Sequence, residues 1–158
     1  MSAAIEIEGL TKVYGDARAL DGVDLQVPEG SVFGFLGPNG AGKTTTLRVL
    51  TGLARPTAGS ARVFGRDVVT ATNEVRAAVG FLPDVPGFYD WMTASEFLRF
   101  AGSLFGIGGA TLTGRVDALL DLAGLTGVTT KIGGYSRGMK QRLGVAQALI
   151  NAPKLLML

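Results

Sequence analysis

Residues 37–44 run Gly37, Pro38, Asn39, Gly40, Ala41, Gly42, Lys43 and Thr44, a GxxxxGK spacing closed by a threonine, with Thr45 directly behind it. Each residue type in that spacing answers one need of a polyphosphate. The glycines let successive main-chain amides turn inward around phosphate oxygens. Lys43 carries a point charge on a flexible stem to the outer phosphates, and the Thr44 hydroxyl is a hard oxygen ligand for Mg2+. Such a loop serves phosphoryl transfer from a nucleoside triphosphate, where positioning and charge stabilisation carry the catalysis. By itself the loop leaves kinases, GTPases and many ATPases open.

Composition narrows the remaining chemistry. The 158 residues contain no histidine, which removes the commonest general base and metal ligand, and no cysteine, which fits a reducing compartment without requiring one. Lys and Arg number 15 against 13 Asp and Glu, a net charge of +2, and no basic run is long enough to track a nucleic-acid backbone. Nucleic acid is therefore not an expected partner. No apolar stretch approaches the roughly 20 residues that span a bilayer, and the opening MSAAIEIEGL carries acids where a signal peptide carries bases. At 47% hydrophobic and 18% charged residues, the chain has the apolar surface for one folded domain.

The loop must be held by a strand before it and a helix after it, because a helix N-terminus adds free amides and a positive dipole end to the grip on phosphate. Ser31 to Leu36, SVFGFL, is apolar on both faces and predicts a central buried strand. From Lys43 to Leu53, the residues Leu47, Val49 and Leu50 form a helical stripe, with Gly52 at its far end. Upstream, Ile5, Ile7 and Leu10 alternate with Glu6 and Glu8, and Val23, Leu25 and Val27 with Asp24 and Gln26, predicting two half-exposed strands. Downstream, a Pro56, Thr57, Gly59 turn leads into a strand at Ala61–Phe64, and the apolar run Val79–Leu82 ends at Pro83.

The pattern then turns helical. Thr93 with Glu96 is a capping box ahead of Phe97, Leu98, Ala101, Leu104 and Phe105, and Val116, Leu119, Leu120 and Ala123 make a second stripe ended by Gly124. Another helix is expected over 137–150, and Leu155–Leu158 starts a strand. The expected architecture is α/β: a P-loop NTPase core, with a parallel sheet flanked by helices and an N-terminal antiparallel β part, plus a mostly helical insert. A single domain over 1–158 is expected, divided into a nucleotide-binding core (1–92), a helical subdomain (93–136) and a last helix with the start of a strand (137–158).

Two further segments select among P-loop proteins. YSRGMKQRLGVAQAL, residues 135–149, resembles the signature segment of ATP-binding cassette (ABC) proteins, with Ser136 and Gly138 in the matching places. Standing before a helix, Ser136 can also act as its N-cap. Tyr14, in KVYGDARALDGVDLQVPEG, stands ahead of the phosphate loop, where that family places an aromatic that stacks on adenine; taken alone it reads first as a half-buried structural tyrosine, and its place before the loop reverses that order. The resemblance covers essentially the whole chain, and YSRGM with KQRLG looks most like cassettes of drug, antibiotic or polysaccharide exporters.

The resemblance implies an ATPase subunit that binds ATP and Mg2+ and drives a polytopic membrane permease subunit from the cytoplasmic side of the cell membrane, as a peripheral protein. It implies a head-to-tail pair of cassettes, each ATP held between Gly37–Thr45 of one and Ser136 and Gly138 of the other. Three positions depart from the family. Asp84 stands where a glutamine helps hold magnesium and the attacking water. It can ligate Mg2+ through oxygen but cannot donate a hydrogen bond when ionised, and it reads also as a solvated loop acid. Arg137 replaces the first glycine of the signature, and Met139 a common glutamine. The family's acids after the strand at Leu155–Leu158 and its later histidine fall beyond this sequence. The expectation is therefore a partial cassette that binds nucleotide but turns it over poorly, whose P-loop strand would lack neighbours. Rival readings are a soluble cassette ATPase without a membrane partner and a nucleotide-binding module that never hydrolyses.

Overall fold

The computed structural model describes residues 2–158, which fall into two compact units, Met1–Arg76 and Ala77–Leu158. The sequence-based divisions lay at 92/93 and 136/137, later in the chain than this boundary.

In the first unit, β1 (Ala3–Tyr14) and β2 (Ala17–Pro28) form an antiparallel hairpin that pairs Ile5 with Val27, Ile7 with Leu25 and Tyr14 with Ala17. The alternation seen in the sequence is realised for Ile5 and Ile7, which period-two spacing sends into the core on one face, and a register shift at left-handed Gly9 returns Leu10 to the core three residues on. After α1 (Lys43–Leu50), β3 (Ala58–Val63) pairs with the other edge of β1, and the short β4 (Arg66–Asp67) closes the sheet in the order β2-β1-β3-β4. Helix α1 buries Thr46, Val49 and Leu50. Its C-terminal turn is held by Arg76, whose guanidinium donates to Thr51 O at 3.2 Å and Gly52 O at 2.9 Å, a cation placed where helix carbonyls run out of partners. Helix α2 (Thr72–Ala78), which the sequence reading missed, contains the unit boundary. With Val75 as its one buried residue, it shows no apolar stripe to read.

The segment Ser31–Leu36 corrects the expectation of a central buried strand. It is irregular and exposed throughout, and Leu36 has 92% of its surface in solvent. Strand structure requires a neighbouring ladder for its amides and carbonyls. Neither sheet of the described residues includes this segment. Apolar composition supplied the side chains of a strand but not the partner.

In the second unit, β5 (Val79–Phe81) runs parallel to β6 (Leu155–Met157), pairing Val79 with Leu155 and Phe81 with Met157. Asn151 Nδ2 donates to Ala77 O at 3.2 Å and Val79 O at 3.1 Å, fixing the start of β5. Between the two strands lie α3 (Ala94–Leu104), α4 (Gly109–Leu122) and α5 (Arg137–Ala148) around a core that includes Phe97, Leu98, Val116, Ile132, Leu143 and Ile150. The capping box forms as read from the sequence. Thr93 Oγ1 accepts from the Glu96 amide at 3.2 Å, and Glu96 Oε2 accepts from the Thr93 amide at 2.7 Å. The Thr93 amide first, then Lys131 at 3.2 Å and the Thr93 hydroxyl, hold the Glu96 carboxyl below its usual range.

Candidate functional site

The phosphate-loop residues lie in the first unit and lead directly into α1. A turn closed by Ala41 N–H donating to Pro38 O at 3.2 Å is followed by Gly42 at φ +89°, which serves as N-cap of the helix. Gly42 is a glycine for two reasons. Its backbone is left-handed, and a Cβ there would meet Ala19 O at 2.7 Å and run into Leu20 Cδ2. Strand β2 therefore sets the position from which α1 starts.

Helix α1 has no side-chain cap and no acid in its first turn. The amides of Lys43, Thr44 and Thr45 precede any carbonyl a turn earlier that they could bind, so this end gathers free donors and the positive end of the dipole. Thr93 and Ser136 satisfy the starts of α3 and α5 with their own hydroxyls, whereas α4 also starts uncapped at Gly108, so what sets the start of α1 apart is the glycine-rich loop before it and Lys43 on its first turn. Lys43 Nζ donates to Pro38 O at 2.8 Å and to Gly37 O, so the ammonium is carried against the carbonyls at the start of the loop. Thr44 is exposed on the first turn, Thr45 is half-buried, and Asn39 and Gly40 lie fully at the surface. Thr46, one position further, is buried, with its hydroxyl returned to Gly42 O at 2.9 Å. Thr46 thus belongs to the support of the loop, and Thr44 is the threonine open to a ligand.

Tyr14 closes β1 at the tip of the hairpin and is 46% exposed, with Lys12 Nζ over its ring at 4.7 Å from the centroid. Sequence reasoning missed Lys12, Ala19 and Leu20. Only the hairpin register and the approach to Gly42 connect them to the site.

Asp84, Ser136 and Gly138 lie in the second unit. Asp84 is exposed in the loop between β5 and α3. Among the described residues no group of three or more Asp or Glu side chains is arranged to hold a metal ion. Ser136 caps α5, its Oγ accepting from Met139 N at 3.2 Å. Gly138 lies exposed on the first turn, and a Cβ there would meet nothing within 4 Å. Arg137 points to solvent beside it, while Met139 packs against the helical core, which explains an apolar residue at that departure.

The loop that carries Asp84 is laced to the segment entering Ser136. Met92 O accepts from Ile132 N at 2.8 Å, Asp90 O from Gly133 N at 3.0 Å, and the Asp90 carboxylate stands 3.6 Å from Lys140 Nζ. Gly133 allows that approach, since a Cβ would lie 3.3 Å from Asp90 O. Tyr135, next to Ser136, is buried with its hydroxyl unpaired among the described residues. Burial pushes its phenol above the ordinary value.

Residues 20–158 match the protein family described as "ABC transporter". The chain is 46% identical over 155 residues to an uncharacterised ABC transporter ATP-binding protein, YxlF, of Bacillus subtilis (strain 168), covering 98% of this chain and 51% of that protein. It is 42% identical over 159 residues to the bacitracin transport ATP-binding protein BcrA of Bacillus licheniformis, covering 100% of this chain and 51% of the relative. The chain thus spans about half the length of these curated relatives. A solved structure described as the ATP binding subunit of an ABC transporter superposes with a TM-score of 0.86 at 28% identity, over 98% of this chain and 65% of that one.

Proposed function

The chain belongs to the ABC transporter family, and we propose that it is the nucleotide-gripping part of an ATPase subunit that couples ATP binding and hydrolysis to transport across a membrane. The likeness to a Nod factor export ATP-binding protein, 41% identical over 159 residues, supports export as the direction. One observation carries the reading: the start of α1 is left without a cap or an acid, behind left-handed Gly40 and Gly42, with Lys43 on its first turn. A polyanion is the ligand that satisfies all of these groups together.

In this reading the amides of Gly40 to Thr45 wrap the phosphates and Lys43 leaves the loop carbonyls for the outer phosphate oxygens. The exposed Thr44 hydroxyl fits Mg2+, a cation that prefers oxygen ligands, and the Asp84 carboxylate offers the same donor chemistry. When bound, the ion would neutralise charge on the phosphates. Tyr14 would carry the adenine. Ser136 and Gly138 would face the ATP of a second cassette in a head-to-tail dimer, so that each nucleotide sits between two copies. No helix of the described residues is long and apolar enough to cross a membrane. Membership of a transporter family supports a polytopic permease subunit as partner and a peripheral place on the cytoplasmic face.

Calorimetric titration with MgATP tests the assignment. A charge-assisted contact is worth about 1.5–3 kcal/mol, so Lys43→Ala should weaken binding at least ~tenfold. Its circular dichroism should not change, since the side chain touches only exposed loop carbonyls. Equal titration curves for variant and parent would remove the phosphate loop from the mechanism.

A further inference from the structure

Lys12 is not part of the phosphate loop, yet its charge is committed to the site. Its ammonium stands 4.7 Å from the centroid of the Tyr14 ring, within the roughly 6 Å range of a cation–π contact, and it forms no ion pair among the described residues. The two residues are two apart on β1, so the pleat places them on the same face of the sheet. Lys12 is half-buried, which limits its wandering, while the ring keeps 46% of its surface exposed. Across the ladder, Lys12 pairs with Leu20, whose side chain closes on Gly42 at the start of α1. One strand pairing therefore separates the Lys12–Tyr14 platform from the phosphate loop within a single unit.

We propose that Lys12 is a positioning and specificity residue for the purine of a nucleoside triphosphate: it occupies one face of Tyr14, fixes the ring, and leaves the opposite face as the stacking surface. This rests on the reading that Tyr14 carries the base. Two physical effects follow. A ring already held by the ammonium loses less freedom when a base stacks on it. A cation on one face also draws electron density through the ring, and the far face becomes a better partner for an electron-rich purine.

The contribution of an exposed cation–π contact corresponds to a change of about two- to fivefold in affinity. The test is a double-mutant cycle on the whole chain with Lys12→Met, which keeps the aliphatic stem, and Tyr14→Ala, each titrated with MgATP and with inorganic tripolyphosphate. Both single variants should bind ATP more weakly and tripolyphosphate as the parent does. The double variant should be no weaker for ATP than Tyr14→Ala alone, because without the ring Lys12 has nothing to position. If Lys12→Met costs the same for tripolyphosphate, or still costs affinity in the absence of Tyr14, Lys12 acts as a plain charge and the proposal is overturned while the Tyr14 reading stands. An unchanged ATP affinity in Lys12→Met beside a weakened Tyr14→Ala overturns it equally. An unchanged ratio of the two affinities in Tyr14→Ala removes the Tyr14 reading, and this inference with it.

Discussion

Replacing Gly42 by alanine sets a methyl group between the end of the phosphate loop and strand β2. Part of the cost is conformational: Gly42 sits at φ +89°, and a left-handed backbone costs a residue with a Cβ about 1–2 kcal/mol. Gly40 provides the control. Its φ is +83° but nothing lies within 4 Å of its Cβ direction, so Gly40→Ala bears the backbone cost alone. At Gly42 the new methyl also meets Ala19 O at 2.7 Å and Leu20 Cδ2, and such overpacking typically adds about 1–3 kcal/mol. The expectation is a loss of about 2–5 kcal/mol for Gly42→Ala against about 1–2 kcal/mol for Gly40→Ala. Hydrogen exchange at the buried Val49 and Leu50 positions of α1 reads the difference locally, and the urea midpoint reads it globally with an unchanged slope. Leu20→Ala should relieve part of the Gly42→Ala loss, because it removes the side-chain half of the clash and leaves the Ala19 carbonyl. Equal losses in the two glycine variants would refute the claim that β2 positions the loop.

Gly138→Asp should leave the fold and the chain's own MgATP affinity unchanged, since its Cβ enters open space, yet abolish turnover in the full-length protein by setting a negative charge against phosphate; retained ATPase activity would count against the two-cassette arrangement. Tyr135→Phe should raise stability by about 1 kcal/mol in urea titration, because it deletes a buried hydroxyl that lacks a partner. The folded-state pKa of Tyr135 is raised, so the unfolded phenol ionises first as pH passes ~10 and stability falls there; the phenylalanine variant should lose that alkaline slope. Asp67 shows the opposite sign. The Thr70 and Val69 amides, each at 2.9 Å, hold its carboxyl below the usual range, so its contribution is present above ~pH 4 and lost as the pH falls through the folded value. Asp67→Asn should flatten that acid limb of the stability profile.

Several features of this protein were legible one turn at a time. The capping box of Thr93 and Glu96 and the Ser136 cap consist of contacts between residues a few positions apart. Side-chain type and spacing determine such contacts wherever the segment lies in the fold. Helix α2 escaped notice because it buries one residue and so carries no periodic signal.

What remained was decided by neighbours distant in sequence. Ser31–Leu36 has the composition of a core strand and stays open, because a strand depends on a second chain segment to pair with. The approach of Ala19 and Leu20 to Gly42, the Lys12 ammonium over Tyr14, and the Asp90–Gly133 lacing ahead of Ser136 each depend on register or on close backbone approach. The amino-acid order by itself marked the residues proposed to grip a phosphate, since that proposal depends on side-chain chemistry and glycine freedom at adjacent positions. Only the tertiary structure decided what holds that loop in place, because packing between remote segments leaves no fixed spacing along the chain.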